Sequence, residues 1–185
     1  MNISNNQIFL KEVDTIIGTL IFGSTDKGLC LMDFKHRKSF PSIMKRIKKF
    51  YGSEFVYKSS EIINKAESEL KAYLEGKLKE FSVPLDIRGS DFQKKVWNAL
   101  LEIKYGEITS YLTIAKKINK PEAVRAVANA NGQNGIAIII PCHRVIGSDG
   151  SLTGYGGGLE IKKKLLKLEN SFYKQRKSQK IESFI

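Results

Sequence analysis

Residues 136–145 have the sequence Ile-Ala-Ile-Ile-Ile-Pro-Cys-His-Arg-Val, and the interpretation of the whole chain depends on this stretch. The apolar run predicts a buried strand that ends at Pro141 and leaves the thiol of Cys142 at its end. His143 follows directly, and the 185 residues include only two cysteines and two histidines. A thiolate attacks and an imidazole can take its proton, so the pair predicts a nucleophile. A small buried cysteine that only closes the strand is the alternative.

The charge of the chain favours an anionic partner. The sequence contains 31 basic and 19 acidic residues, which gives a net charge of +12. Residues 1–88 contain 15 basic and 11 acidic residues, and residues 89–185 contain 16 basic and 8 acidic residues. The excess of positive charge is therefore concentrated in the half that holds Cys142. Basic side chains gain affinity for phosphates by releasing condensed counterions, although a lysine-rich surface can also serve solubility alone.

Two cysteines and two histidines cannot form a four-ligand zinc site without using Cys142, so we expect no metal. The polar start of the chain does not resemble a signal peptide. No apolar run approaches the roughly 20 residues that a membrane-spanning helix needs. We therefore expect a cytoplasmic protein with reduced thiols and no membrane partner. We also expect it to be a monomer.

The first part of the chain mixes strands and helices. Alternating apolar residues predict strands at 7–13, 15–22, 29–34 and 55–57. Apolar residues at spacings of three and four predict helices at 41–52 and 60–76. The first three strands should form an antiparallel meander, with Cys30 on its apolar face. We interpret this part as a scaffold without chemistry of its own.

The pattern becomes mainly helical after Arg88, which we therefore take as a domain boundary. The prediction is an α/β protein of the α+β kind, with domains at 1–88 and 89–170 and a basic tail at 171–185. Ser90 and Gln93 form a capping box that begins a helix, and the apolar face of that helix includes Trp97.

Two short helices at 110–118 and 121–131, joined by Asn119 and Lys120, have the spacing of a helix-turn-helix. The second helix is rich in alanine, and Arg125 is its one long cation. Small side chains allow a helix backbone to come close to the narrow minor groove of DNA. An ordinary alanine-rich helix with a solvated arginine is the alternative.

The Pro-Cys-His-Arg-Val pattern resembles the O6-alkylguanine-DNA alkyltransferases, the family of methylated-DNA-protein-cysteine methyltransferases. The resemblance covers residues 70–170 and includes segments 89–93, 96–97, 105–107, 110–111, 125–127 and 154–159, together with Asn134. It implies a ribonuclease-H-like N-terminal domain without that enzyme's metal carboxylates, followed by a winged-helix-like domain with a helix-turn-helix. It also implies repair of double-stranded DNA that carries O6-alkylguanine, with O4-alkylthymine left open as a second substrate.

The resemblance implies that Cys142 accepts the alkyl group in one irreversible turnover, without a cofactor. It implies that His143 is the base and that Glu169 is the carboxylate that orients it. Neighbouring side chains of a strand point to opposite faces. His143 can therefore act on Cys142 only if the backbone turns tightly after Pro141 or a water bridges the two.

Further site residues follow from the same resemblance. Arg125 would occupy the base stack when the target nucleotide is flipped out, and Tyr111 would assist flipping and hydrogen-bond the base. Asn134 would hold the turn before Cys142 through its side-chain amide. The small residues expected to contact DNA are Ala126 and Ala130, and the residues expected to line the base pocket are Asn134, Val145, Tyr155, Gly156 and Gly157.

Three positions depart from the family pattern: Ala128 stands where glycine is usual, Gly135 where proline is usual, and Lys104 where proline is common. None of them bears a reacting group. Three other functions remain compatible with parts of the sequence, namely a non-catalytic protein that binds alkylated DNA, a helix-turn-helix transcription factor and a cysteine hydrolase. The first class replaces the cysteine, and the second usually carries polar side chains for base readout on its second helix.

Overall fold

A computed structural model of the chain describes residues 7–52 and 54–169, so the predicted tail at 171–185 lies outside the described residues. The chain divides into two compact units. The first contains the described residues up to Ser90 together with Gly135–Ala137, and the second contains Asp91–Asn134 and the described residues from Ile138 onward. The division after Ser90 lies two residues from the predicted boundary at Arg88. No pattern in the sequence indicated that Gly135–Ala137 would belong to the first unit.

The first unit is built on a four-stranded sheet with the order β3-β2-β1-β4. Its strands are β1 (Gln7–Thr15), β2 (Gly18–Ser24), β3 (Leu29–Phe34) and β4 (Glu54–Tyr57). The first three form the predicted antiparallel meander, and β4 pairs parallel to β1. The turn between β1 and β2 lies at residues 16–17, two positions later than predicted. There Thr15 Oγ1 accepts from the amide of Ile17 at 3.2 Å, and Gly18 has a φ of +117°.

Two helices belong to this unit, α1 (Phe40–Tyr51) and α2 (Glu61–Leu74). Gly52, in the left-handed conformation, ends α1, and Ser60 begins α2 by accepting a hydrogen bond from the amide of Ile63 at 3.1 Å. Both ends were predicted. Cys30 lies in the core that α1 covers, and burial raises its pKa to about 12. This thiol is therefore protonated at neutral pH and unsuited to nucleophilic attack.

Gly28 lies against the backbone of the extended segment that precedes Arg88. Leu29 donates to the carbonyl of Pro84 at 2.8 Å, and Asp86 donates to the carbonyl of Leu29 at 2.9 Å. A Cβ at position 28 would lie 2.7 Å from the amide nitrogen of Asp86, where only backbone movement can relieve the clash. Position 28 therefore requires glycine, because the backbone of residues 84–86 leaves no room for a Cβ atom.

Gly28→Ala should lower the free energy of unfolding by about 1–3 kcal/mol, the usual cost of overpacking a tight site. Urea denaturation followed by circular dichroism measures the change. Ser68→Ala, at an exposed position of α2, is the matched control and should stay within about 0.5 kcal/mol of the unsubstituted protein. Equal urea denaturation midpoints for the two variants would show that position 28 has room for a Cβ atom.

Residues Gly135–Ala137 extend the outer edge of β3. The amide of Met32 donates to the carbonyl of Gly135 at 2.8 Å, and the amide of Ala137 donates to the carbonyl of Met32 at 2.7 Å. Met32 and Ile136 form a parallel bridge. Leu29 forms a second bridge with Leu85 on the same strand, so β3 has partners beyond β2 at two points.

The second unit is mainly helical, as predicted. Its elements are α3 (Asp91–Leu101), β5 (Thr109–Ser110), α4 (Tyr111–Lys117), α5 (Val124–Gly132), β6 (Val145–Ile146) and α6 (Leu159–Leu168). The helix-turn-helix is confirmed: α4 is joined to α5 through Asn119, at a φ of +57°, and a 3₁₀ turn at Pro121–Ala123. Strands β5 and β6 pair in parallel, which links the start of α4 to the segment that follows Cys142.

Trp97 is buried in this unit with 2% of its surface exposed, as its place on the apolar face of α3 predicted. Its indole N–H donates to the carbonyl of Ala130 in α5 at 2.9 Å. A buried indole is therefore satisfied and joins the two helices. Among the described residues, no helix combines the length and the apolar composition that spanning a bilayer requires.

Candidate active site

The backbone before Cys142 is not the predicted strand. Residues 138–139 form a turn, and Ile138 has a φ of +71°, a conformation that costs a β-branched residue about 1–3 kcal/mol. Five consecutive apolar residues lack a periodicity that separates a strand from a buried turn, so the prediction of a strand was wrong. All five are nevertheless buried, as their composition indicated.

Cys142 begins a 3₁₀ turn that extends to Arg144. The amide of Cys142 donates to the carbonyl of Ile140 at 2.7 Å, and the amide of Arg144 donates to the carbonyl of Pro141 at 3.0 Å. Consecutive residues of such a turn are rotated by about 120° rather than the 180° of a strand. The tight turn after Pro141, which the chemistry of the Cys142–His143 pair was expected to need, is present.

Asn134 holds this turn from the end of α5. Its Nδ2 donates to the carbonyl of Ile140 at 2.9 Å and to Sγ of Cys142 at 3.2 Å. A carbonyl oxygen can only accept, which identifies the amide nitrogen as the atom that faces both partners. The first contact is the backbone bond that was predicted. The second was not predicted, and it favours the thiolate because a hydrogen bond to the charged form stabilises that form.

His143 and Glu169 form the predicted pair, with 2.9 Å between Nε2 and Oε1, and both side chains are buried. Burial lowers the pKa of His143, more than the hydrogen bond and charge of Glu169 raise it, while Arg144 and Lys162 lower it further. The imidazole is therefore neutral at pH 7. Its Nδ1 atom is buried and has no hydrogen-bond partner in the part of the chain that the structure describes.

Glu169 has a second buried partner, Arg144, which the sequence analysis did not identify. Arg144 Nε lies 3.0 Å from Oε2, and Nη2 lies 2.8 Å from Oε1. Burial would raise the pKa of Glu169, but the hydrogen bonds and charges of His143 and Arg144 lower it to about 2. The signal was available in the sequence: an arginine inside a buried apolar stretch needs an acidic partner.

Lys162 in α6 is a further buried charge that sequence reasoning missed. It is fully buried, and its Nζ donates to the carbonyls of Val145 at 2.6 Å and Thr153 at 3.1 Å. Burial lowers the pKa of Lys162 to about 8, although the charge of Cys142 opposes this. The spacing of Lys162 from Leu165, Leu166 and Glu169 places them on one helix face, which could have identified it.

Apart from Asn134, the predicted pocket residues lie in the segment that follows this turn, and the predicted base-flipping residue Tyr111 lies in α4. Tyr111, at the start of α4, is half-buried and shares a 2.8 Å hydrogen bond between its hydroxyl and that of Thr153. Burial raises the pKa of Tyr111, and the charge of Cys142 also raises it. Val145 is fully buried, and the ring of Tyr155 meets that of His143 edge-on, with 6.4 Å between centroids. Gly156 and Gly157 form a half-buried turn.

The alanine-rich helix α5 presents Arg125 and Ala126 to solvent. Ala130 is buried, with 2% of its surface exposed, and its carbonyl accepts from Trp97. The expectation that Ala130 contacts DNA is therefore wrong, because position 130 falls on the buried stripe of α5 together with Val127. Within the described part of the chain, no group of three or more His, Cys, Asp or Glu side chains is arranged to hold a metal ion.

Two family models match the chain, one for each unit. The DNA binding domain of 6-O-methylguanine DNA methyltransferase matches residues 91–171, and the ribonuclease-like domain of the same family matches residues 11–87. The methylated-DNA–protein-cysteine methyltransferase of Methanosarcina barkeri is 48% identical over 162 residues, which covers 86% of this chain and 95% of the relative.

Solved structures of this kind are also similar to the chain. The crystal structure of Mycobacterium tuberculosis O6-methylguanine methyltransferase superposes with a TM-score of 0.74 at 43% identity and covers 88% of this chain and 93% of its own. The structure of Mycobacterium tuberculosis OGT in complex with DNA has a TM-score of 0.74 at 42% identity and covers 89% and 92% of the two chains.

Proposed function

This chain belongs to the 6-O-methylguanine DNA methyltransferase family, and from that membership we propose how its site repairs alkylated DNA. Cys142 takes the alkyl group from O6-alkylguanine and keeps it, so that each chain acts once. The observation that carries the proposal is the set of contacts around one 3₁₀ turn. Asn134 Nδ2 lies 3.2 Å from the sulfur of Cys142, and the adjacent His143 is hydrogen-bonded to Glu169.

In the reaction, Sγ of Cys142 attacks the alkyl carbon, the S–C bond forms and the C–O6 bond breaks. The thiol proton passes to Nδ1 of His143, which is buried and bears the lone pair of the neutral ring. The electron pair of the broken C–O6 bond stays on the purine, which becomes guanine when it takes up one proton, and His143 returns to its neutral form by releasing the proton it took from the thiol. Protons and electrons balance without a co-reactant, and the thioether cannot release the alkyl group.

DNA is the partner of the family's DNA binding domain, and α5 is the element that we place in the minor groove. Arg125 is exposed on this helix beside the small Ala126, so the backbone can approach closely while one long cation projects. The alkylated oxygen lies inside the duplex, which requires that the nucleotide be flipped out. Arg125 fills the gap left in the stack, and the Tyr111 hydroxyl hydrogen-bonds the flipped base.

The base pocket is formed by Val145, Tyr155, Gly156 and Gly157 near Cys142. Lys162 stabilises the segment that forms this pocket, because its Nζ donates to the carbonyl of Val145 and to that of Thr153. The whole site comes from residues of one unit of one chain, which supports action as a monomer. The chemistry needs a reduced thiol, which supports a cytoplasmic location.

Intact mass spectrometry tests this proposal. The protein is incubated with a duplex oligonucleotide that contains one O6-methylguanine. Each chain should gain the mass of one methylene, since a methyl group replaces the thiol proton, and the gain should stop at one per chain. Peptide fragmentation should place the modification on Cys142.

The second cysteine provides the matched control. Cys30→Ala should react like the unsubstituted protein, because the raised pKa of Cys30 keeps that thiol protonated. Cys142→Ala should show no gain. Repeated turnover, or a modification on another residue, would contradict self-alkylation at Cys142. Binding of the alkylated duplex without any mass gain would instead favour a non-catalytic DNA-binding protein.

A further inference from the structure

Arg144 is buried in the same 3₁₀ turn as Cys142 and His143, and all three of its guanidinium nitrogens have partners. Nε and Nη2 donate to the two oxygens of Glu169, in the two-point geometry typical of strong arginine–carboxylate pairs. Nη1 donates to the carbonyl of Ile103 at 2.5 Å, and the guanidinium lies 6.0 Å from the ring centroid of Tyr105. This side chain is therefore held rigidly against the carboxylate.

The charges in this cluster balance only when Arg144 is counted. Glu169 carries one negative charge and Arg144 one permanent positive charge, so the pair is neutral without any contribution from His143. Lys162 of α6 donates to two carbonyl groups, and its positive charge further disfavours the imidazolium. The imidazole can then remain uncharged in its buried position. A buried carboxylate with no such cation would leave a net charge of −1, which is costly inside a protein.

Removal of the cation would therefore cause the His143–Glu169 pair to bind one proton at neutral pH. If the imidazole takes the proton, it becomes an imidazolium and has no lone pair left. If the carboxyl takes it, the carboxyl becomes a donor to Nε2, and the ring proton must move to Nδ1. Either way, Nδ1 can no longer accept the proton of Cys142.

We propose that Arg144 is a positioning residue that neutralises the buried Glu169, and so keeps His143 uncharged with its proton on Nε2 and its lone pair on Nδ1. The inference rests on the proposed function, because the lone pair matters as the acceptor of the thiol proton. Arg144 does not touch the substrate and acts through the carboxylate and the ring.

Nitrogen-15 spectra of the histidine rings test this inference directly, since they distinguish the two neutral tautomers from the imidazolium. The chain has only two histidines, and His36 is exposed in the first unit, where it serves as an internal control. At pH 7 the unsubstituted protein should show His143 neutral with its proton on Nε2.

Two variants separate the charge of Arg144 from its hydrogen bonds. Arg144→Gln keeps a donor but removes the charge, and it should show His143 at pH 7 either as imidazolium or with its proton on Nδ1. Arg144→Lys keeps the charge and should retain the neutral Nε2 form. His36 should give the same spectrum in all three proteins. A neutral Nε2 form of His143 in Arg144→Gln overturns the proposal.

The reaction with free O6-benzylguanine provides a second readout, because it requires no base flipping. Arg144→Gln should react about 100-fold more slowly at pH 7, the lower end of what a general base contributes. Its rate should recover as the pH rises and the additional proton is lost. A loss of equal size at every pH would indicate a purely structural role and would overturn the proposal.

The ring spectra also keep the two proposals separable. Absence of an adduct on Cys142 would refute alkyl transfer but would leave the ring spectra unchanged. Unchanged spectra in Arg144→Gln, with transfer intact, would refute only the positioning role. If Arg144→Gln does not fold, the unsubstituted protein decides: His143 charged above pH 7, or protonated on Nδ1, overturns the inference, and a neutral Nε2 form supports it.

Discussion

Arg125→Ala should slow repair of duplex DNA about 100-fold and leave the reaction with free O6-benzylguanine nearly unchanged. Extrusion of a base costs a few kcal/mol, and Arg125 offsets this cost by filling the gap in the base stack. If its removal raises the barrier by about 3 kcal/mol, the rate falls by roughly two factors of ten. Arg125 is exposed on α5, so its removal should not disturb the core of the second unit. The free base needs no extrusion, which is why only the duplex reaction should suffer.

Single-turnover kinetics with both substrates measure this difference. Asn129→Ala is the matched control, because Asn129 is exposed one turn further along the same helix and should affect neither substrate strongly. A 100-fold loss on both substrates would show that Arg125 supports the fold instead of the flipped state. A rate on duplex DNA that falls only slightly would show that Arg125 does not fill the gap in the base stack.

Alkylation of Cys142 should lower the melting temperature of the second unit by several degrees. The thiol is buried, with 7% of the residue exposed, and Val145 beside the turn is fully buried. An additional methylene in a packed site costs about 1–3 kcal/mol, and each kcal/mol shifts the melting temperature of a chain of this size by roughly 2–4 °C. A thioether also accepts the hydrogen bond from Asn134 less well than a thiolate does.

Scanning calorimetry of the free, methylated and benzylated protein measures the effect, and the bulky benzyl adduct should destabilise more than methyl. Cys142→Ala treated with the same reagents should melt unchanged. The strain lies in the turn that follows α5, so we expect the spent protein also to bind DNA more weakly. Adducts that melt at or above the temperature of the free protein would show that the pocket has room to spare.

Sequence patterns predicted correctly those helices whose ends and spacing depend on residues close together in the chain. The helix-turn-helix was predicted because its two short helices and the Asn119–Lys120 link between them are adjacent in the chain, and α2 because Ser60 caps it. The His143–Glu169 pair joins residues far apart in the chain, and it was expected only from the resemblance to a known family. The position of the cysteine itself followed from the rarity of Cys and His in the sequence.

The path of residues 136–140 could not be predicted, because it depends on partners distant in the chain. Met32 supplies the backbone partners of residues 135 and 137, and nothing local favours a positive φ at Ile138. The burial of Arg144 and Lys162 was missed although the sequence carried a signal for each, because charged side chains are expected to face water. Their partners, Glu169 for Arg144 and the carbonyls of Val145 and Thr153 for Lys162, are identified only by the folded chain.

The contribution of Gly135–Ala137 to the first unit affects when that unit can finish folding. Strand β3 lies at the edge of its sheet, and within the described part of the chain its outer side at Met32 is paired by these three residues alone. During synthesis at about 5–20 residues per second, the ribosome needs roughly 2–10 s to pass from Ser90 to Ala137. For that time the β3 edge is open at Met32, and open edges promote aggregation. The unit that begins the chain is therefore completed late, and no single cleavage of the chain yields both units whole.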